Sequence, residues 1–241
     1  MAKASQRLLR YGSNQLWATP VTLGNLLEEG VVEEKLHKWL EQYANDPRLV
    51  FGPPSDLDKR EKRYSRIDIT LFAPPASRQL ARIKEILIGR ADRYARATIM
   101  NPLPDHEKHA TFWFVIQHPK NLNDPLMPHF HEGSDVGLVY YLSTPSNGSG
   151  GIMMVDPRGL IARGGQAFPK HKPAIQFHPR RGDLLILPRY VLHYTNVNTD
   201  ARDRKAIAGV VKYDLPRAEA LRFLVRPEKG GMRKSASKFP R

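Results

Sequence analysis

The sequence predicts a chain that is mainly β with flanking helices, an antiparallel barrel or jelly roll carrying its helices on the outside. Three observations predict this class. Two amphipathic helical stretches lie ahead of residue 100. From Ala110 onward the periodicity shortens to segments rich in aromatic and β-branched residues. Turns built from glycine, asparagine and aspartate separate those segments at short intervals. Helices followed by many short strands are the signature of a sheet that closes on itself and takes its helices as an outer layer.

Residues 1–13 are polar and read as loose. Gln15-Leu16-Trp17-Ala18-Thr19-Pro20-Val21 reads as a short strand broken at its proline, because Pro20 has no N–H to give a ladder. Across residues 31–44, Val32, Leu36, Trp39, Leu40 and Tyr43 recur at helical spacing, and Asn45-Asp46-Pro47 ends the pattern. Residues 46–63 carry Gly52-Pro53-Pro54 and a charged run and read as an exposed loop. Residues 65–72 then alternate as a strand does. Ser77 is suited to cap a second helix, with Leu80, Ile83, Leu87 and Tyr94 on its inner side and Arg78, Arg82, Lys84, Arg90 and Arg93 largely on the other. That helix is expected to buttress a sheet.

Strands are expected over residues 111–117, 136–142, 151–155, 174–177, 183–187 and 206–213, with turns at Ser146-Asn147-Gly148-Ser149-Gly150-Gly151 and Arg181-Gly182-Asp183. Tyr140 and Tyr141 alternate faces, so one is expected in the core and the other inside the barrel. The organisation is a helical and strand preface over 1–109, a β core over 110–214 and a basic, flexible tail over 215–241. No internal repeat is present.

With 241 residues the chain can form one large domain, or one domain with a preface, and its apolar content is that of an ordinary globular protein. The absence of cysteine excludes disulfides, zinc-thiolate fingers and a cysteine nucleophile. No apolar run approaches the ~20 residues that span a bilayer, and residues 1–10 lack the apolar segment of a signal peptide, so a cytoplasmic protein is expected. The net charge is +14, and the tail supplies eight basic residues against Glu219 and Glu228. Such an excess favours anionic partners, an acidic substrate or nucleic acid, although no groove-reading or base-stacking motif accompanies it.

Pro128-His129-Phe130-His131 places two imidazoles on the same face of one extended segment, so one strand can offer both to a single metal. His193 follows an apolar run far downstream, and Arg204 heads another. Two neighbouring histidines, a distant third and a trailing arginine make a metal-plus-anion constellation. His37, His106, His109, His118, His171 and His178 lie outside this pattern and read as ordinary surface or core histidines. Asp156-Pro157-Arg158 reads as a turn whose arginine stands at a strand end, where it can meet an anionic substrate.

The ordered set His129-Phe130-His131, Gly137-Leu138-Val139-Tyr140-Tyr141-Leu142-Ser143, Gly150-Gly151-Ile152-Met153-Met154-Val155-Asp156-Pro157, Arg181-Gly182-Asp183-Leu184-Leu185-Ile186-Leu187-Pro188, His193 and Arg204-Lys205-Ala206-Ile207 resembles the Fe(II)- and 2-oxoglutarate-dependent dioxygenases. The likeness covers residues 110–214 and is nearest to their prolyl-hydroxylase-like branch. Leu16-Trp17-Ala18-Thr19-Pro20-Val21 also resembles the opening of a bacterial and phage group in that superfamily.

The resemblance implies a double-stranded β-helix (jelly roll, cupin-like) core, with His129 and His193 as iron ligands. Arg204 and Tyr141 would hold the far carboxylate of 2-oxoglutarate. O2 would be the other co-substrate, and succinate and CO2 would be released as a C–H bond is hydroxylated. The third ligand departs from the family pattern, because His131 stands where a carboxylate is usual. Glu132 and Asp135 are the nearby carboxylates, but neither stands two residues beyond His129 as His131 does, so His131 is the favoured ligand. Polypeptide or amino-acid substrates are slightly favoured by the branch. Two other readings stay open: a three-histidine cupin-like oxygenase that does not use 2-oxoglutarate, and a non-catalytic nucleic-acid-associated module.

Overall fold

Two ten-residue segments, Lys108–Gln117 and Arg204–Tyr213, pair antiparallel along their whole length and form the spine of the molecule. The computed structural model describes residues 7–10, 19–46, 63–66, 76–98, 108–117, 128–155 and 174–214. In chain order its elements are β1 (Arg7–Arg10), β2 (Pro20–Asn25), α1 (Glu34–Tyr43), β3 (Arg63–Arg66), α2 (Ala76–Thr98), β4 (Lys108–Gln117), β5 (Val136–Ser143), β6 (Ile152–Val155), β7 (Ala174–Phe177), β8 (Asp183–Pro188), β9 (Leu192–Thr195) and β10 (Arg204–Tyr213).

A seven-stranded antiparallel sheet has the order β1-β2-β8-β5-β10-β4-β3, and a three-stranded antiparallel sheet has the order β7-β6-β9. The sheets face each other across a cluster of Val21, Tyr141, Leu185, Leu187 and Ala206 from the large sheet and Ile152 and Met154 from the small one. This is the double-stranded β-helix that the resemblance implied.

The two-residue period of the strands decides which side chains meet this space. Along β5, Leu138, Tyr140 and Leu142 turn outward into a second cluster with Leu40 of α1 and Leu80, Ile83 and Leu87 of α2, while Tyr141 turns inward. Each of these fully buried side chains contributes roughly 1.5–3 kcal/mol of apolar burial, which is what fastens both helices to the back of the sheet.

Several boundaries differ from the sequence reading. Pro20 opens β2 instead of breaking a strand that ends at Val21: it lacks an N–H, but at the first position no ladder bond is lost, and the strand runs on to Asn25 against β8. Ser77 lies inside the first turn of α2 and is not its cap. Arg90 is not on the solvent side of that helix; it is buried against Glu29, with Nη2 at 2.5 Å from Oε2. A buried guanidinium requires such a partner, and the carboxylate lies beyond the helix, where helical periodicity cannot reveal it. The small strand β9 was not expected, and Arg7–Arg10, expected to be loose, forms β1 because its backbone pairs with β2. Residues 11–18, 47–62, 67–75 and 156–173 and the tail over 215–241 lie outside the described residues, and with them much of the expected loops. No helix among the described residues is long and apolar enough to cross a membrane.

At the contact between α1 and β5, the wholly buried His37 bonds at both ring nitrogens, to the Tyr140 hydroxyl at 2.6 Å and the Leu142 carbonyl at 2.9 Å. A carbonyl can only accept, so Nε2 carries the proton and Nδ1 receives the phenol. Burial pushes this imidazole from 6.5 down to about 4, with the Leu142 carbonyl acting weakly the other way. Unfolded, the ring takes its proton near 6.5, whereas folded it does so only near 4. Its contribution to stability is therefore complete above pH 6.5 and is lost as pH falls through 4. The difference corresponds to about 3 kcal/mol. Calorimetric melting should show stability falling between pH 7 and pH 4, and less steeply in His37→Gln.

Candidate metal centre

His129, His131 and His193 come together with their nearest ring nitrogens all within 4.8 Å of one another, and among the described residues no aspartate or glutamate joins them. The ring centroids are 5.3 Å apart for His129–His131, 4.5 Å for His129–His193 and 5.0 Å for His131–His193. Backbone bonds hold this approach. His129 and His193 form an antiparallel bridge, each N–H donating to the other's carbonyl at 3.0 Å, and the His131 N–H donates to the Arg189 carbonyl at 3.2 Å. The pair at 129 and 131 thus sits on an extended segment joined by a single bridge, and not on a regular strand as expected. Its ordering comes from β9 and the turn at Arg189, which lie far away in the chain.

The donor chemistry suits a divalent transition metal. Burial, with His129 close by, holds His131 down at about 4, and burial also holds His193 at about 4, so both rings are neutral at pH 7. His193 Nδ1 is 2.8 Å from the Val191 carbonyl. Nδ1 is therefore the protonated nitrogen, and the lone pair on Nε2 is free for a metal.

Gly137 makes room for His131: a Cβ there would lie 2.9 Å from His131 Cδ2 and 3.3 Å from Leu187 Cδ1. The substitution Gly137→Ala is expected to displace the ring, cost about 1–3 kcal/mol by overpacking and weaken metal binding. Melting and metal titration of the variant check both effects.

At the start of β10, Arg204 is 2% exposed and its Cζ stands 5.0 Å from the centroid of the Tyr141 ring. Arg204 Nε and the Tyr141 hydroxyl are both buried without a hydrogen-bond partner. Arg204 lies beside the phenol but short of a good hydrogen bond. Burial raises the Tyr141 phenol above its ordinary range, with the guanidinium opposing, so it stays a neutral O–H donor. Buried polar atoms nearly always find partners. Two buried, neighbouring donors without partners therefore fit an anionic oxygen-bearing ligand such as a carboxylate. Gly150, at φ +64°, leaves space for the arginine stem, since a Cβ there would lie 3.1 Å from Arg204 Cδ.

The other candidates lie elsewhere. Asp135 Oδ2 accepts the Tyr213 N–H at 2.8 Å, and Glu132 is exposed. His109 pairs with Asp214, and His178 contacts the Gly148 carbonyl. His106, His118, His171 and Arg158 are outside the described residues. Two contributors were not foreseen. Trp113 stands 6.4 Å from the His131 ring, centroid to centroid, and Gln117 is buried directly across the ladder from Arg204. Both are on β4, whose inward parity would have suggested them once Arg204 was placed opposite.

Residues 111–209 match the model of the family described as "Putative 2OG-Fe(II) oxygenase". No curated protein sequence matches the chain. Among solved structures, a prolyl hydroxylase from Trichoplax adhaerens, in complex with a peptide fragment of the hypoxia inducible factor oxygen degradation domain, has a TM-score of 0.56 at 13% identity, over 86% of this chain and 87% of that one. A prolyl-4-hydroxylase from Pseudomonas putida has a TM-score of 0.53 at 14% identity, over 80% and 92%. HygX from Streptomyces hygroscopicus, solved with nickel and 2-oxoglutarate bound, has a TM-score of 0.52 at 15% identity, over 80% and 82%. At these identities the likeness to solved structures is one of fold.

Proposed function

We propose that the protein, whose residues 111–209 match the 2OG-Fe(II) oxygenase family, hydroxylates a polypeptide or amino-acid side chain, with His129, His131 and His193 holding Fe(II) and Arg204 and Tyr141 holding 2-oxoglutarate. The observation that carries this reading is the convergence of three imidazoles; in the same fold, Arg204 Nε and the Tyr141 hydroxyl are buried side by side without a hydrogen-bond partner. Bound iron supplies the activation of O2, coupled to conversion of 2-oxoglutarate into succinate and CO2. The same reading places the catalytic core over 110–214, behind a preface over 1–109 and ahead of a basic tail over 215–241, in a cytoplasmic protein.

Each residue then has a definite task. Imidazole ligands bring no negative charge, so three of them would leave the charge of the metal uncancelled, which would favour an anionic keto acid as exogenous ligand. Arg204 offers a planar fork matched to a carboxylate, and the Tyr141 O–H donates beside it. The packed cluster of Leu185, Leu187, Ile152, Met154 and Ala206 keeps water out. On the same inner face Ala208, Val210 and Trp113 are only half-buried, whereas Ala206 is closed off, so substrate approaches past the indole. The peptide held by the Trichoplax relative supports a polypeptide substrate.

Purified protein given Fe(II), 2-oxoglutarate and O2 should release succinate, and extracts treated with it should contain species heavier by one oxygen. Among the described residues no carboxylate joins the histidine group, which favours, as a second reading, a cupin-like oxygenase that binds its substrate directly to iron. Oxygen consumption that is independent of 2-oxoglutarate would select that alternative.

A further inference from the structure

We propose that His37, on α1 and outside the segment matched by the family model, is a positioning residue for the 2-oxoglutarate pocket, clamping a β-bulge in β5 that sets Tyr141 against Arg204. This rests on the assignment of Arg204 and Tyr141 to 2-oxoglutarate.

The bulge is visible in the register. Lys205 pairs with Ser143 and Ala206 with Tyr141, so one step along β10 spans two along β5, and Leu142 is the extra residue. A bulged residue falls out of the ladder and turns the strand locally, which re-aims its neighbours. Its carbonyl, inside the core, needs a partner from elsewhere. His37 Nε2–H supplies one at 2.9 Å, and Nδ1 accepts the Tyr140 hydroxyl at 2.6 Å. One ring therefore grips the residues on both sides of Tyr141, while the Tyr141 carbonyl is held by the Gly182 N–H at 2.9 Å.

His37, Tyr140, Tyr141 and Leu142 are all 0% exposed, so water cannot replace the ring. The bulge lies between the two pocket residues. Tyr141 is on one strand beside it and Arg204 is two positions before Ala206 on the other, with the guanidinium 5.0 Å from the phenol centroid. Any slip at Leu142 therefore changes the spacing of the two groups that would share one carboxylate. The requirement on residue 37 is chemical and directional: one donor and one acceptor at opposite ends of a short side chain. A glutamine amide meets it and a leucine does not.

The test is calorimetric titration of 2-oxoglutarate into the full chain loaded with Mn(II) without oxygen, together with the steady-state kinetics of succinate release. His37→Leu is expected to weaken 2-oxoglutarate binding and raise its KM by about tenfold, with kcat and Mn(II) affinity within about twofold of wild type. His37→Gln should restore binding to within about threefold. Tyr140→Phe removes one hydroxyl and keeps the ring, so it should lose about threefold even if His37→Leu does not fold.

Unchanged 2-oxoglutarate affinity in a folded His37→Leu, or in Tyr140→Phe, overturns the clamp. So does a Gln variant as impaired as Leu, or a parallel fall in Mn(II) affinity, which would mark general loosening. Wild type that takes no 2-oxoglutarate at all would fell the assignment of the pocket and the clamp with it. Wild type that binds, beside variants that bind equally, fells the clamp alone.

Discussion

Replacing His193 by alanine is expected to strip the metal from the protein and cut 2-oxoglutarate-dependent succinate formation by at least about a hundredfold. Loss of a mere outer partner of a ligand costs about 10–100-fold, and His193 is proposed as a ligand itself. Its side chain is 5% exposed, with the lone pair of Nε2 presented by the bond from Nδ1 to the Val191 carbonyl. The backbone bridge to His129 uses only main-chain atoms and survives the substitution, as does the pairing of residue 193 with Met154. The variant should therefore melt as a folded protein yet leave gel filtration without stoichiometric metal. Metal analysis and a succinate assay on the same preparation read both effects. Succinate release at the wild-type rate would remove His193 from the centre.

Replacing Arg204 by methionine is expected to raise the KM for 2-oxoglutarate by about 30- to 4,000-fold while leaving metal affinity unchanged. Truncating one partner of a buried, hydrogen-bonded charge pair costs about 2–5 kcal/mol, and each ~1.4 kcal/mol is a factor of ten. Methionine keeps most of the volume against Gly150, whose missing Cβ would lie 3.1 Å from the arginine Cδ, so the effect reads charge more than packing. A site this enclosed is poorly screened, and the penalty should persist at high salt. Initial-rate measurements across 2-oxoglutarate concentration, at low and high ionic strength, test it. A KM that does not move would assign the guanidinium to substrate or to structure.

Much of this was legible in the residues themselves. Aromatic and β-branched runs between turn signals located β4, β5, β8 and β10, and the alternation of faces along a strand separated Tyr140 from Tyr141 by geometry alone. Helical spacing found α1 and α2 through their buried Leu40, Leu80, Ile83 and Leu87. What escaped depended on contacts distant in sequence. The strand β9 has only four residues, and the segment around His129 is ordered only by its bridge to His193. Arg90 reads as a surface charge until Glu29 is brought beneath it. Order along the chain singles out the rings at 129, 131 and 193, but their approach to one another arises only when distant segments are bridged in the fold.

The borders of the large sheet carry a consequence for anyone wishing to shorten the protein. Its outer strands, β1 with β2 on one flank and β3 on the other, come from the first 66 residues and bond to β8 and β4. A fragment begun at residue 110 would bare two rows of unsatisfied main-chain donors and acceptors, and such naked margins recruit other chains. It would be expected to precipitate while still containing every histidine of the centre.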